Sequence, residues 1–110
     1  MRHCFALDLK DDPALIAEYE KQHRAVWPAI IDSITQAGIT VLDIYRTGNR
    51  LFMIMETTDD FSFEKKAAMD ASNPVVQDWE ELMWTFQQSL PWAKPGEKWI
   101  RMEKIFQLPD

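Results

Sequence analysis

Cationic residues are in short supply: 12 Lys and Arg stand against 18 Asp and Glu in 110 residues, a net charge of −6 with a pI near 4.8. Phosphate binding needs a concentration of positive charge that this chain lacks, so nucleic acid is excluded as a partner. No polybasic run points to an anionic membrane surface either. Cysteine occurs once, at Cys4, which rules out an intramolecular disulfide and fits a reducing, cytoplasmic setting. Glycine occurs three times and histidine twice. There is no Gly-rich phosphate loop, no GxSxG elbow, no HExxH and no Cys/His spacing for a metal, so neither a metal nor a cofactor is expected. The apolar runs are too short to cross a bilayer, and that of MRHCFALDLK is too short for a signal peptide.

What is present is an ordinary folding composition, 46% apolar and 27% charged, without repeat or linker, and residues 1–110 are expected to form one domain. Five Trp and six Met are many for this length and call for aromatic contact surface or a large apolar interface. Residues 2–9 alternate, with His3, Phe5, Leu7 and Leu9 on one face of a strand. Asp11, Asp12 and Pro13 start a helix that Trp27-Pro28 must break, and a second helical piece ends at Gly38. Residues 40–47 and 50–57 read as strands joined at Gly48-Asn49. Helical character runs from Phe61 to about Ser72 and, after an Asn73 cap, from Pro74 to Gln88. A proline-rich loop, LPWAKPGEKW, leads into a last strand near Trp99 to Leu108.

The order β-α-β-β-α-β predicts an α+β, ferredoxin-like sandwich of an antiparallel sheet with helices on one face. Phe52 and Ile54 oppose Leu51, Met53 and Met55, so both faces of the sheet need cover. A homodimer with its two sheets face to face supplies it.

Tyr19, His23 and Trp27 fall at i, i+4 and i+8 of the first helix, on the face that Ile16, Val26, Ile30 and Ile34 mark as buried. A titratable ring therefore occupies a core-facing position. His23 has two readings: a satisfied hydrogen bond in the core or dimer contact, or a proton donor in a cleft opened by the Trp-Pro break. Tyr19 is a core residue or a hydroxyl reaching the same cleft, while Trp27 reads as a staple at the break. His3 reads as an edge or surface residue without chemistry. Trp79 is a core residue of an amphipathic helix or, beside Glu80, part of a carbohydrate pocket, where an indole face meets C–H bonds and a carboxylate meets hydroxyls. Asp43, in an apolar strand, is expected to be buried and either closes a structural hydrogen bond or faces ligand. Trp92 and Trp99 would cap the pocket or serve dimer contact.

The segments EYEKQHRAVWPAI, DIYRTGNRLFMIMET, NPVVQDWEELM and EKIFQLP, in this order along essentially the whole chain, resemble the L-rhamnose mutarotase family. The most specific element is Tyr, three residues, His, three residues, Trp-Pro. The resemblance implies a small dimeric ferredoxin-like protein of the dimeric α/β barrel type, an isomerase that interconverts the α and β anomers of a 6-deoxy-L-sugar without a cofactor. It implies His23 as proton donor and Tyr19 and Trp79 as sugar contacts. The chain departs from the rhamnose-specific pattern at Glu80, where that pattern has tryptophan, and at Leu42, where it has tyrosine. The Trp-Glu pair and the PWAKPGEKW loop are similar to the L-fucose mutarotases, which makes L-fucose the favoured substrate and L-rhamnose the next. The rival readings are a dimeric ferredoxin-like monooxygenase and a non-catalytic domain that binds a small ligand.

Overall fold

A computed structural model describes all 110 residues, 1–110. The element order is β1 (Arg2–Leu9), α1 (Pro13–His23), α2 (Pro28–Gln36), β2 (Ile39–Thr47), β3 (Arg50–Thr57), α3 (Phe63–Ala71), α4 (Pro74–Trp84), β4 (Gln87–Gln88) and β5 (Ile100–Arg101). The sheet runs β2-β3-β1-β4, with β5 also on β1, and every pairing is antiparallel. This is the ferredoxin-like arrangement, each of its two helical positions being occupied by a pair of helices.

The helix starts follow from local chemistry. Asp12 accepts hydrogen bonds from the backbone N–H groups of Ala14 and Leu15, and Asn73 does the same for Val75 and Val76. Both caps precede a proline at the first helical position, where a missing N–H costs nothing. Trp27 is extended, with φ −57° and ψ 133°, as a residue before proline must be, and α2 starts without a side-chain cap. Gly38 ends α2 at φ +93°, in the left-handed region.

The face of the sheet carrying Phe5, Leu7, Leu9, Leu51, Met53 and Met55 is buried; Leu7, Leu9 and Leu51 are almost inaccessible. Leu9 and Leu51 join Tyr19, Ile30, Val76, Trp79, Met83 and Phe86 in one core cluster, so α1, α2 and α4 cover this face. The other face presents Phe52 and Ile54, half-buried, beside exposed Tyr45 and Asp43. There Asp8 is buried in a bidentate pair with its register partner Arg50, at 2.8 and 3.2 Å, and the Arg50 guanidinium lies 5.3 Å from the Trp92 ring.

Four expectations are corrected. The last strand is two residues long, because after Met102 donates to the Cys4 carbonyl the chain leaves β1 and residues 103–110 form no regular structure. Helix α4 stops at Trp84 rather than Gln88; the Leu82 and Met83 carbonyls take the Thr85 and Phe86 N–H groups in a tight final turn, which releases Gln87 to pair with Leu9. Asp43 is exposed, since alternation with the inward Leu42 and Ile44 turns it to the face away from the helices. His3 is half-buried rather than on the surface, edge-on to Phe63 at 4.9 Å.

Gly38→Ala should lower stability by about 2–3 kcal/mol, because a Cβ there lies 2.7 Å from Thr58 Oγ1 as well as at a strained φ. Gly48→Ala, at φ +54° with open space around it, should cost only about 1 kcal/mol. Urea unfolding of the two variants measures the difference; equal losses would remove the Thr58 contact from the account.

Candidate functional site

The break between α1 and α2 opens a cleft of about 820 Å³ between the helices and the sheet. All five residues singled out by sequence line it: Tyr19, His23, Asp43, Trp79 and Glu80. They do not do so alike. Tyr19 and Trp79 are buried, His23 and Glu80 are half-buried, and Asp43 stands exposed at the rim on edge strand β2.

His23 is held on three sides. Its Nδ1 lies 2.9 Å from the Tyr19 carbonyl oxygen, one turn back along α1. A carbonyl can only accept, so Nδ1 carries the hydrogen, and Nε2 is the ring atom left for a ligand. The imidazole lies 4.4 Å from the Tyr19 ring and edge-on to Trp79 at 5.7 Å. Trp79 is itself met edge-on by Trp27 at 5.0 Å, so the tryptophan of the Trp-Pro break braces the wall of the cleft, as a staple should. Each such aromatic pair adds roughly 0.5–1.5 kcal/mol beyond the area it buries.

Burial pushes the Tyr19 phenol up to about 12, and a hydrogen bond from the Gln87 side chain draws it part of the way back. Tyr19 is therefore neutral across the physiological range. It can donate a hydrogen bond to a ligand oxygen but cannot act as a base near neutral pH. Gln87 is buried and also lines the cleft. Sequence reasoning missed it, because Gln87-Gln88 looks like a polar helix end and only the pairing of β4 with β1 turns it inward.

The remaining wall is mostly apolar, with Leu42, Ile44, Met53 and Met55 from the sheet and Ile30 and Ile34 from α2. Trp99 also lines it, half-buried, whereas Trp92 is 63% exposed and stacked on Arg50 away from the cleft. Lys66 and Asp70 of α3, ion-paired to each other, reach the cleft as well; nothing in the sequence reading singled them out. No cluster of three or more His, Cys, Asp or Glu side chains is placed to hold a metal ion. No helix is long and apolar enough to cross a membrane.

A family model described as L-rhamnose mutarotase matches residues 2–108. The chain is 50% identical to an L-fucose mutarotase of Xanthomonas campestris pv. campestris, over 99% of this chain and 89% of that protein. It is 31% identical to an L-rhamnose mutarotase of Jannaschia sp., over 96% and 97%. Among solved structures, an L-rhamnose mutarotase of Formosa agariphila superposes with a TM-score of 0.72 at 22% identity, covering 99% of both chains. The tetracenomycin F2 cyclase of Streptomyces glaucescens superposes with a TM-score of 0.59 at 16% identity, again over 99% of both. These two structural matches establish the shared fold.

The raised phenol has a pH signature. Below pH 10 the Tyr19 proton is bound in both folded and unfolded chains; above it the unfolded chain loses the proton first, so stability falls as pH rises towards about 12. A shift of this size corresponds to about 3 kcal/mol. The urea-unfolding free energy of wild type should therefore fall relative to that of Tyr19→Phe by about 2 kcal/mol from pH 9 to pH 12, where the folded phenol is itself half titrated; a constant difference would contradict the buried phenol.

Proposed function

The chain belongs to the L-rhamnose mutarotase family, and we propose that it interconverts the α and β anomers of a 6-deoxy-L-hexose, L-fucose first and L-rhamnose next, with His23 as the proton donor. The observation that carries this reading is the fixed tautomer of His23, whose free Nε2 sits in a cleft walled by Trp79 and a neutral Tyr19 hydroxyl. The preference for fucose rests on the relative at 50% identity, an L-fucose mutarotase, and on Glu80 and Leu42.

Anomer exchange requires the ring oxygen to gain a proton while the C1 hydroxyl loses one, the C1–O5 bond breaking to leave an open-chain aldehyde. Rotation about C1–C2 presents the other face, and the reverse proton transfers close the ring. Protonated His23 gives the Nε2 proton to the ring oxygen and takes it back on closure. Its Nδ1–H stays committed to the Tyr19 carbonyl throughout, so the ring does not turn between the two steps. Tyr19 donates a hydrogen bond to a sugar oxygen. Trp79 stacks on C–H bonds of the ring. Glu80 is assigned the proton of the C1 hydroxyl. Asp43 is left a role at the rim, since its side chain sits on the far side of β2 from Leu42 and Ile44. The apolar residues of β2 and β3 receive the methyl group that distinguishes a 6-deoxy sugar.

The same proposal treats residues 1–110 as one working domain, places it in the cytoplasm, and pairs it with a second copy through the open sheet face. Half-buried Phe52 and Ile54 with exposed Tyr45 on that face, and exposed Ile105, Phe106 and Leu108 in the terminal segment, support pairing because a second copy would remove these large apolar side chains from water.

Saturation-transfer NMR of free sugars reads anomer exchange directly. His23→Ala and Glu80→Gln should each slow exchange of L-fucose by about a hundredfold or more, with His3→Ala close to wild type. Equal rates for the His23 and His3 variants would falsify the assignment of the proton donor. Sedimentation equilibrium should give a mass near twice the 12.9 kDa of the chain; a mass of 12.9 kDa would dispose of the pairing.

A further inference from the structure

Helix α3 carries no fully buried residue, and its half-buried polar pair does not serve the helix. Lys66 and Asp70 stand at i and i+4 with side chains 25% and 16% exposed, and Lys66 Nζ donates to Asp70 Oδ2. The order is the poorer one: a lysine N-terminal to the carboxylate, with the carboxylate in the last turn, where the negative end of the helix dipole repels it. α3 has no basic residue in that turn to offset it. Reversing the two residues would give α3 the better pairing, so helix stability does not account for the order found.

Both side chains line the cleft that holds His23, Trp79 and Glu80. Each makes its one side-chain hydrogen bond to the other, which uses one of three ammonium donors and leaves Asp70 Oδ1 free. The backbone is fixed as well, for Gln77 of α4 donates to the Asp70 carbonyl at 2.9 Å and ties the end of α3 to the helix that carries Trp79 and Glu80. A preformed donor and acceptor side by side in a largely apolar cleft match two neighbouring hydroxyls of a sugar ring, one accepting from the ammonium and one donating to the carboxylate.

We propose that the Lys66–Asp70 pair is a specificity-determining subsite, which binds ring hydroxyls away from C1 and reads their configuration. This rests on the mutarotase reading for the identity of the ligand as a 6-deoxy sugar. L-fucose and L-rhamnose differ in the configuration of the hydroxyls at carbons 2 and 4, so a subsite that holds one of these distinguishes the two sugars. Glu80 and Leu42 bear on the same choice, while Lys66 and Asp70 add a charged pair on the α3 side.

The test uses the full chain with Asp70→Asn and Lys66→Met. Ligand-observed NMR gives the dissociation constants of L-fucose and L-rhamnose, saturation transfer gives KM and kcat for each, and circular dichroism checks the fold. Asp70→Asn should raise KM for the preferred sugar by about tenfold, lower kcat by less, and change the ratio of the two sugars' kcat/KM. The double variant should be little worse than either single one, since the two residues act as a unit. An unchanged KM and sugar ratio in a folded Asp70→Asn variant overturns the proposal, and so does an equal loss for both sugars accompanied by a lowered melting temperature. Should the wild type bind sugar without exchanging anomers, the mutarotase reading fails alone, and a weaker dissociation constant in Asp70→Asn still supports the subsite.

Discussion

One hydrogen bond orders the rest of the cleft. The His23 imidazole reaches back one turn to the Tyr19 carbonyl, and because that oxygen can only accept, the bond decides which ring nitrogen carries hydrogen and which is left free. The backbone that supplies the carbonyl also carries the Tyr19 side chain, so one helical turn positions both the imidazole and the neutral hydroxyl. The turn survives at the end of α1 because Trp27 and Pro28 stop the helix and send the chain away, with the indole of Trp27 braced against Trp79. Without that stop, α1 would continue over the sheet and fill the space that the cleft occupies.

Much of this was legible in the residues, where the physics is local. The alternation of β1, the turn at Gly48-Asn49, the Asp12 and Asn73 caps and the prolines at 13, 28 and 74 each specify their structure within a few residues. The spacing of Tyr19, His23 and Trp79 around a common cleft followed from helix periodicity and from the family resemblance. What was hidden depends on distant partners. Gln87 becomes buried only because β4 pairs with β1, some 80 positions earlier in the chain. Asp43 looked buried because its neighbours are apolar, yet alternation turns the two kinds of residue to opposite faces. The terminal segment has the pattern of a strand, but the edge of β1 accepts only Ile100 and Arg101 before the chain diverges.

The sheet and its helices do not by themselves choose the reaction. A polyketide cyclase shares the architecture at a TM-score of 0.59 and 16% identity, and the difference between such proteins lies in what a few side chains place inside the cleft. Here the apolar floor comes largely from the strands, whereas most of the polar groups come from the helices and from the short strand after α4. That division lets the polar set vary while the packing beneath it is kept.

The ion pair of Asp8 and Arg50 has a bearing on all of this from the opposite side of the sheet. Asp8 sits between Leu7 and Leu9, so sliding β1 along β3 by a single residue would drive a carboxylate into the hydrocarbon layer and expose two leucines to water. The pair thus works as an indexing pin for the central strand. With that strand indexed, Leu9 meets Gln87, the side chain whose hydrogen bond offsets part of the burial effect on the Tyr19 phenol. A charged pair outside the cleft thereby fixes where the Tyr19 hydroxyl stands within it.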